Sequence, residues 1–160
     1  MKRIILIALV FVSVFSSCKK QESDNIDAQL EKDDQLIKDF IKANNINAER
    51  DDYGIYYVVT DPGSGNFEYT TSTKIKVKYT GRFLNGQVFD SNSQGVELTL
   101  GGETGVIAGW QIGIQKIQKG GKIRLLIPSY YGYGSVAYRG IPANSVLDFD
   151  IELLDVTKAN

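Results

Sequence analysis

Lys74-Ile75-Lys76-Val77-Lys78-Tyr79 alternates a lysine with an apolar side chain at every step. Successive side chains of a β-strand point to opposite faces, so Ile75, Val77 and Tyr79 share one face and the lysines share the other. This is the pattern of a half-buried antiparallel strand, with one face on a core and one in water. The same period returns near the end of the chain, where Leu147, Phe149, Ile151 and Leu153 alternate with Asp148, Asp150 and Glu152. Between them, Val96, Leu98 and Leu100 alternate with Glu97 and Thr99, and Lys122-Ile123-Arg124-Leu125-Leu126-Ile127 makes a further strand. Asn85-Gly86 separates two β-like runs and is a strong hairpin signal. Upstream, residues 53–60 are rich in β-branched and aromatic types and end in the turn cluster Asp61-Pro62-Gly63-Ser64-Gly65. One segment departs from period two. Trp110, Ile114 and Ile117 lie at i, i+4 and i+7, and Gly120-Gly121 follows, which predicts a short helix with a glycine stop. The expected fold is α+β: an antiparallel sheet with one helix covering its apolar face.

The N-terminal part reads differently. Lys2 and Arg3 precede the apolar run Ile4–Phe15, and Ser16 and Ser17 lead directly into Cys18. That is the layout of a secretory signal peptide, with an apolar run too short for a comfortable membrane span. The small-small-Cys ending resembles the bacterial lipobox. The resemblance implies cleavage before Cys18, lipidation of Cys18, and attachment to a membrane surface through the lipid. The implied location is the cell envelope, on the outer membrane or the periplasmic face. Residues 19–29 are polar, without an apolar period, and read as a flexible tether. Over 27–44, Leu30, Asp33/Asp34, Ile37, Phe40 and Ile41 recur at roughly helical spacing, and Asn44 and Asn45 are plausible stops. We expect a short amphipathic helix docked on the domain, in preference to one reserved for dimerisation or a partner. The expected organisation is a signal peptide over 1–17, a lipidated cysteine with tether and helix over 18–52, and the main domain over 53–160.

Composition narrows the chemistry. The chain has 160 residues, a formal charge of −1, one cysteine and no histidine. Lack of histidine excludes Ser-His-Asp and Cys-His catalysis, and one cysteine without histidine does not suit a zinc site. No basic excess points to nucleic acid. The glycines of Gly101-Gly102 and Gly132-Tyr133-Gly134 do not match a nucleotide-binding fingerprint. No cofactor or metal is expected. One stretch remains, the loop 128–142, Pro-Ser-Tyr-Tyr-Gly-Tyr-Gly-Ser-Val-Ala-Tyr-Arg-Gly-Ile-Pro, which carries four tyrosines. Loops held on a scaffold often bind ligands, and apolar pockets with a few placed polar groups are typical sites. The residues alone therefore suggest an aromatic binding cleft without a nucleophile or a metal.

Several blocks then fall into one order: Tyr79-Thr80-Gly81; Asn85-Gly86-Gln87-Val88-Phe89-Asp90-Ser91; Val106-Ile107-Ala108-Gly109-Trp110; Ile127-Pro128; Tyr133-Gly134; and Ile141-Pro142 running on to Leu154. In order and spacing, over about residues 53–156, these resemble the signature segments of FKBP-type peptidyl-prolyl cis–trans isomerases. The resemblance implies a half-open antiparallel sheet wrapped around one short helix. It implies isomerase activity on X–Pro bonds of exported proteins, with proline-containing polypeptides as clients and macrolides as possible inhibitors. It also implies a role for each of nine positions. Trp110 forms the floor of a proline pocket; Tyr79, Phe89, Val106, Ile107 and Phe149 line its walls. The Tyr133 hydroxyl and the Ile107 N–H donate to a substrate carbonyl. Asp90 sits at the pocket edge, and Ile141 packs in the overhanging loop. The chain departs from the family pattern at Val96 or Leu98, where a phenylalanine is common, and at Ser91-Asn92-Ser93-Gln94, which offers no basic partner for Asp90.

Overall fold

The lysine-studded strand and the acidic strand that mirrors its period lie side by side. The computed structural model describes residues 15–102 and 105–158, with side-chain surroundings from residue 25 onward. Six strands form one sheet: β1 (Glu49–Arg50), β2 (Tyr56–Asp61), β3 (Lys74–Phe83), β4 (Val88–Thr99), β5 (Lys122–Ile127) and β6 (Leu147–Thr157). Their order across the sheet is β1-β2-β5-β6-β3-β4, and every pairing is antiparallel. β6 therefore lies between β3 and β5, with Gly81 opposite Phe149 on one side and Leu125 opposite Phe149 on the other.

Period two makes the sheet two-sided. Ile75 and Val77 of β3, Ile123, Leu125 and Ile127 of β5, and Leu147, Phe149, Ile151 and Leu153 of β6 are all buried in one core. The short helix α2 (Ala108–Gly113) and the 3-10 turn that continues it (Ile114–Lys116) cover this face. Trp110, Ile114 and Ile117 point into the core, as their spacing predicted. Close approach of α2 to β5 requires glycine on its inner side. A Cβ on Gly109 or Gly113 would lie 2.5 Å from a side-chain carbon of Ile127 or Leu125, respectively.

Asn85-Gly86 closes the β3–β4 hairpin, with Gly86 at φ 86°. The Phe83 N–H donates to the Gln87 carbonyl at 3.0 Å, and the Gln87 N–H donates to the Asn85 side chain at 2.9 Å. β4 is longer than its alternating part. It takes in Ser91–Gln94, and the register against β3 slips where Val77 faces Val96 but Tyr79 faces Asn92. The extra residues end in Gly95, at φ 95°. A bulge of this kind is common on edge strands and bends the strand.

The other face of the sheet receives helix α1 (Phe15–Ala43). Ile37 is fully buried against Tyr56, Leu126 and Val146, with Phe40 and Ile41 beside it. The docked amphipathic helix is thus as expected, but it starts earlier. Residues 19–29, expected as a flexible tether, are helical. This stretch contains neither proline nor glycine, and its Lys, Gln, Glu and Ala are good helix formers that carry on a helix already anchored downstream. The signal-peptide reading covers 1–17, of which 1–14 lie outside the described residues, as does the side chain of Cys18. No described helix is long and apolar enough to cross a membrane.

Polar contacts fasten α1 at its edge. Asp34 accepts hydrogen bonds from Arg50 Nε at 3.0 Å and the Tyr56 hydroxyl at 2.9 Å, and pairs with Lys38 Nζ at 2.6 Å. Burial pushes the Asp34 carboxyl up, but the bonds from Lys38, Arg50 and Tyr56 together hold it below its ordinary value. Beyond the helix, the charges of the outer face pair across strands. Asp148, 2% exposed, accepts two bonds of 2.8 Å from Arg124, and Arg82 bridges Asp148 and Asp150.

Candidate functional site

A cleft of about 440 Å³ opens between the inner face of the sheet, the start of α2 and the loop that follows β5. Each wall comes from a different element. β3 supplies Tyr79, β4 supplies Phe89 and Asp90, and β6 supplies Phe149. Val106 and Ile107 lie just before α2, and Trp110 is in its first turn. Tyr133 and Ile141 come from the tyrosine-rich loop. All nine positions singled out in the sequence line this one cavity. Four further residues line it without having been given a role in the sequence reading: Leu98, Gly105, and Tyr138 and Arg139 of the tyrosine-rich loop. A second hollow of similar volume lies on the outer face, lined by hydroxyls and by Lys78, Lys122, Arg124, Asp150 and Glu152. It lacks the aromatic enclosure that distinguishes the first.

Aromatic packing builds the floor. Trp110 meets Phe149 edge to face at 5.2 Å between ring centroids, and Tyr79 meets Trp110 the same way at 5.1 Å. Phe89 stands perpendicular to Phe149 at 5.5 Å. Edge-to-face pairs of this kind favour one arrangement of the rings over others. Phe149 and Trp110 are 4% exposed and belong equally to the core, whereas Tyr79, Phe89 and Tyr133 are half-buried and face the opening. The rim is another stack: Tyr133 lies parallel to Tyr138 at 5.1 Å, and the Arg139 guanidinium sits over Tyr138 at 5.2 Å.

Polar groups are few. The Tyr79 hydroxyl donates to Asp90 Oδ2 at 2.7 Å, which fixes the carboxylate at the cleft edge. Burial, and next the bond to Asp90, push the Tyr79 hydroxyl well above its ordinary pKa. Burial also raises Tyr133, and the Asp90 charge adds to it. Both phenols therefore stay protonated, as donors, throughout the neutral range. Among the described residues the Tyr133 hydroxyl and the Ile107 N–H have no protein partner, and the buried Trp110 Nε1 has none either. The cleft is thus an aromatic box that offers two donors without a protein partner among the described residues, the Tyr133 hydroxyl and the Ile107 N–H.

Residues 65–154 match the family model of FKBP-type peptidyl-prolyl cis–trans isomerases. The chain belongs to that family. Its relatives include the FKBP-type isomerase FkpA of Escherichia coli K12, 37% identical over 145 residues, which are 90% of this chain and 52% of the relative. FkpA of Buchnera aphidicola from Schizaphis graminum is 47% identical over 104 residues, 64% of this chain and 41% of that protein. This chain therefore spans about half the length of the curated FkpA relatives it matches. Among solved structures, Escherichia coli FkpA superposes with a TM-score of 0.71 at 33% identity, covering 91% of this chain and 67% of that one. A peptidyl-prolyl isomerase from Pseudomonas syringae gives 0.66 at 29% identity, covering 82% and 96%. The α+β sheet wrapped around one helix is the fold they share.

Proposed function

We propose that the chain accelerates cis–trans isomerisation of X–Pro bonds in exported polypeptides, using the aromatic cleft as its active site. The observation that carries this reading is the closure of Trp110, Phe149, Tyr79 and Phe89 around one cavity with unpaired donors among its lining. An X–Pro bond turns over a barrier of about 18–20 kcal/mol, created by resonance across C–N. The planar amide carries more charge on its oxygen than the twisted transition state does. Transfer from water into an apolar box therefore raises the ground state most. A donor placed for the twisted carbonyl, from Tyr133 or from the Ile107 N–H, adds selective stabilisation. Each tenfold of rate needs about 1.4 kcal/mol of such differential binding. Ile141 and Tyr138 form the overhang that keeps water out, and Asp90 holds Tyr79 in place. Clients are proline-containing segments, and macrolides that present a proline-like ring to the same box are the inhibitors it suits.

The test is the relaxation rate of a short X–Pro peptide series with and without the chain, with Phe89→Ala as control. Phe89 is half-buried, so its loss leaves the core standing. We expect clear acceleration by the wild type and a fall of at least about tenfold in the variant, equivalent to 1.4 kcal/mol of lost transition-state binding. A folded wild type without any acceleration would move the reading to a binding module on the same fold.

The sequence features at Cys18 support lipid attachment at that residue, which puts the domain on a membrane surface of the cell envelope. Continuous helix from Cys18 to Asp33 then spans about 22 Å, at 1.5 Å per residue, between the anchor and the point where α1 meets Ser129. Mass spectrometry of the mature chain is expected to find an acylated Cys18 as its first residue. An intact Met1 or an unmodified Cys18 would remove the anchor.

A further inference from the structure

Asp33 is out of place on α1. It lies on the apolar stripe between Leu30 and Ile37, and its side chain is fully buried. Burying a carboxylate is costly unless hydrogen bonds replace its water. Here three do. Gln29 Nε2 donates to Oδ1 at 2.7 Å, while the Ser129 N–H and hydroxyl both donate to Oδ2, at 2.8 and 2.6 Å. Among the described residues Asp33 has no cationic partner. An alanine or leucine would dock the helix without the desolvation cost, so the contacts to Ser129 are what this carboxylate supplies.

Ser129 begins the 3-10 turn Ser129–Tyr131 that leads into the cleft. Its carbonyl accepts the N–H groups of Gly132 at 3.0 Å and Gly134 at 2.9 Å, the two residues that flank Tyr133. The Gly134 carbonyl in turn accepts from the Asn144 N–H at 2.8 Å. One buried carboxylate on the N-terminal helix thus grips the residue whose carbonyl ties down both sides of Tyr133. We propose that Asp33 is a positioning residue for the cleft, holding the turn Ser129–Gly134 so that the Tyr133 hydroxyl faces the substrate carbonyl. The role rests on the isomerase reading given above. The grip on the turn itself does not.

Two measurements on the full chain separate these. The first needs no activity: amide hydrogen exchange by NMR in wild type, Asp33→Asn and Asp33→Ala. Asn keeps one acceptor oxygen and the volume, so it serves where Ala fails to fold. Exchange at Gly132 and Gly134 is expected to rise about tenfold in Ala and less in Asn, as for the loss of a hydrogen bond to a charged group. Amides of Leu125 and Phe149 in the sheet stay as protected as before. Unchanged exchange at Gly132 and Gly134, or a uniform rise across the sheet, overturns the proposal. The second is a double-mutant cycle in isomerase kcat/KM. Each Asp33 variant is expected to lower the rate in the wild-type background, by about tenfold for Ala, and to add almost nothing in a Tyr133→Phe background. An equal loss in both backgrounds assigns Asp33 to stability alone and sinks the positioning role. If the wild type shows no isomerase activity, the isomerase reading fails, and the exchange data alone decide whether Asp33 holds the turn.

Discussion

Phe149→Ala is expected to cost about 3–5 kcal/mol of stability, the range for a large buried aromatic truncated to alanine. On a chain of this size that lowers the midpoint of thermal unfolding by roughly 6–20 °C. Calorimetry of the variant beside the wild type reads this directly. The expectation follows from what the ring touches. Phe149 stands on the central strand β6, 4% exposed, and meets Trp110, Phe89 and Tyr79 within one cluster. Its removal opens a cavity beneath the cleft and frees three rings at once, so isomerisation should fall together with stability. A variant that melts within about 2 °C of the wild type would mean that the cluster collapses to fill the gap, and that Phe149 is no keystone of the floor.

Gly81→Val should be nearly as severe by the opposite route. Gly81 is buried on β3 between Asp90 of β4 and Phe149 of β6. A Cβ there would lie 2.5 Å from Phe149 Cε1 and 2.8 Å from Phe89 Cζ. Both rings lean across the strand through the space that a side chain would fill. A valine has to drive them toward the cavity or off their preferred rotamers, at about 1–3 kcal/mol or more. Because these rings form the cleft wall, the loss of kcat/KM should exceed tenfold even at temperatures where the variant is fully folded. Isomerase assays well below the melting point check this. An active, folded Gly81→Val would show that Phe89 and Phe149 tolerate displacement and do not shape the cleft.

Gly81 also shows what a sequence reveals. A glycine in the middle of an alternating strand marks a place where something approaches closely, and here it is two aromatic rings. The strands themselves were legible wherever one face met the core and the other met water, as at Lys74–Tyr79 and Leu147–Leu153. Helix α2 was legible because Trp110, Ile114 and Ile117 keep a single face. Ser91–Gln94 was not, because this part of edge strand β4 is polar on both faces and carries no period. The start of α1 was missed for a related reason: a polar stretch without apolar spacing reads as coil, although nothing in it breaks a helix. Asp33 was legible in part. Its place on the stripe with Leu30 and Ile37 is legible from the spacing, but its partner Ser129, 96 residues away, is not. The cleft was legible at the aromatic positions and not at Arg139, which reads as one more exposed cation until its place above Tyr138 is known.

The position of β6 at the centre of the sheet has a consequence for how the molecule comes into being. β6 is last of the six strands in chain order, yet β3 and β5 both pair with it and not with each other. The β3–β4 hairpin closes through local contacts, whereas β2 pairs with β5 across 61 to 70 residues of chain, and without β6 both pairs are left with an open edge. The two halves join only through residues 147–157, and helix α1, which precedes the six strands in chain order, completes its seat only with Val146 beside that last strand. Closure of such distant segments is entropically slow. The chain therefore has a late, long-range step in its own folding, during which two unpaired strand edges need protection from neighbours.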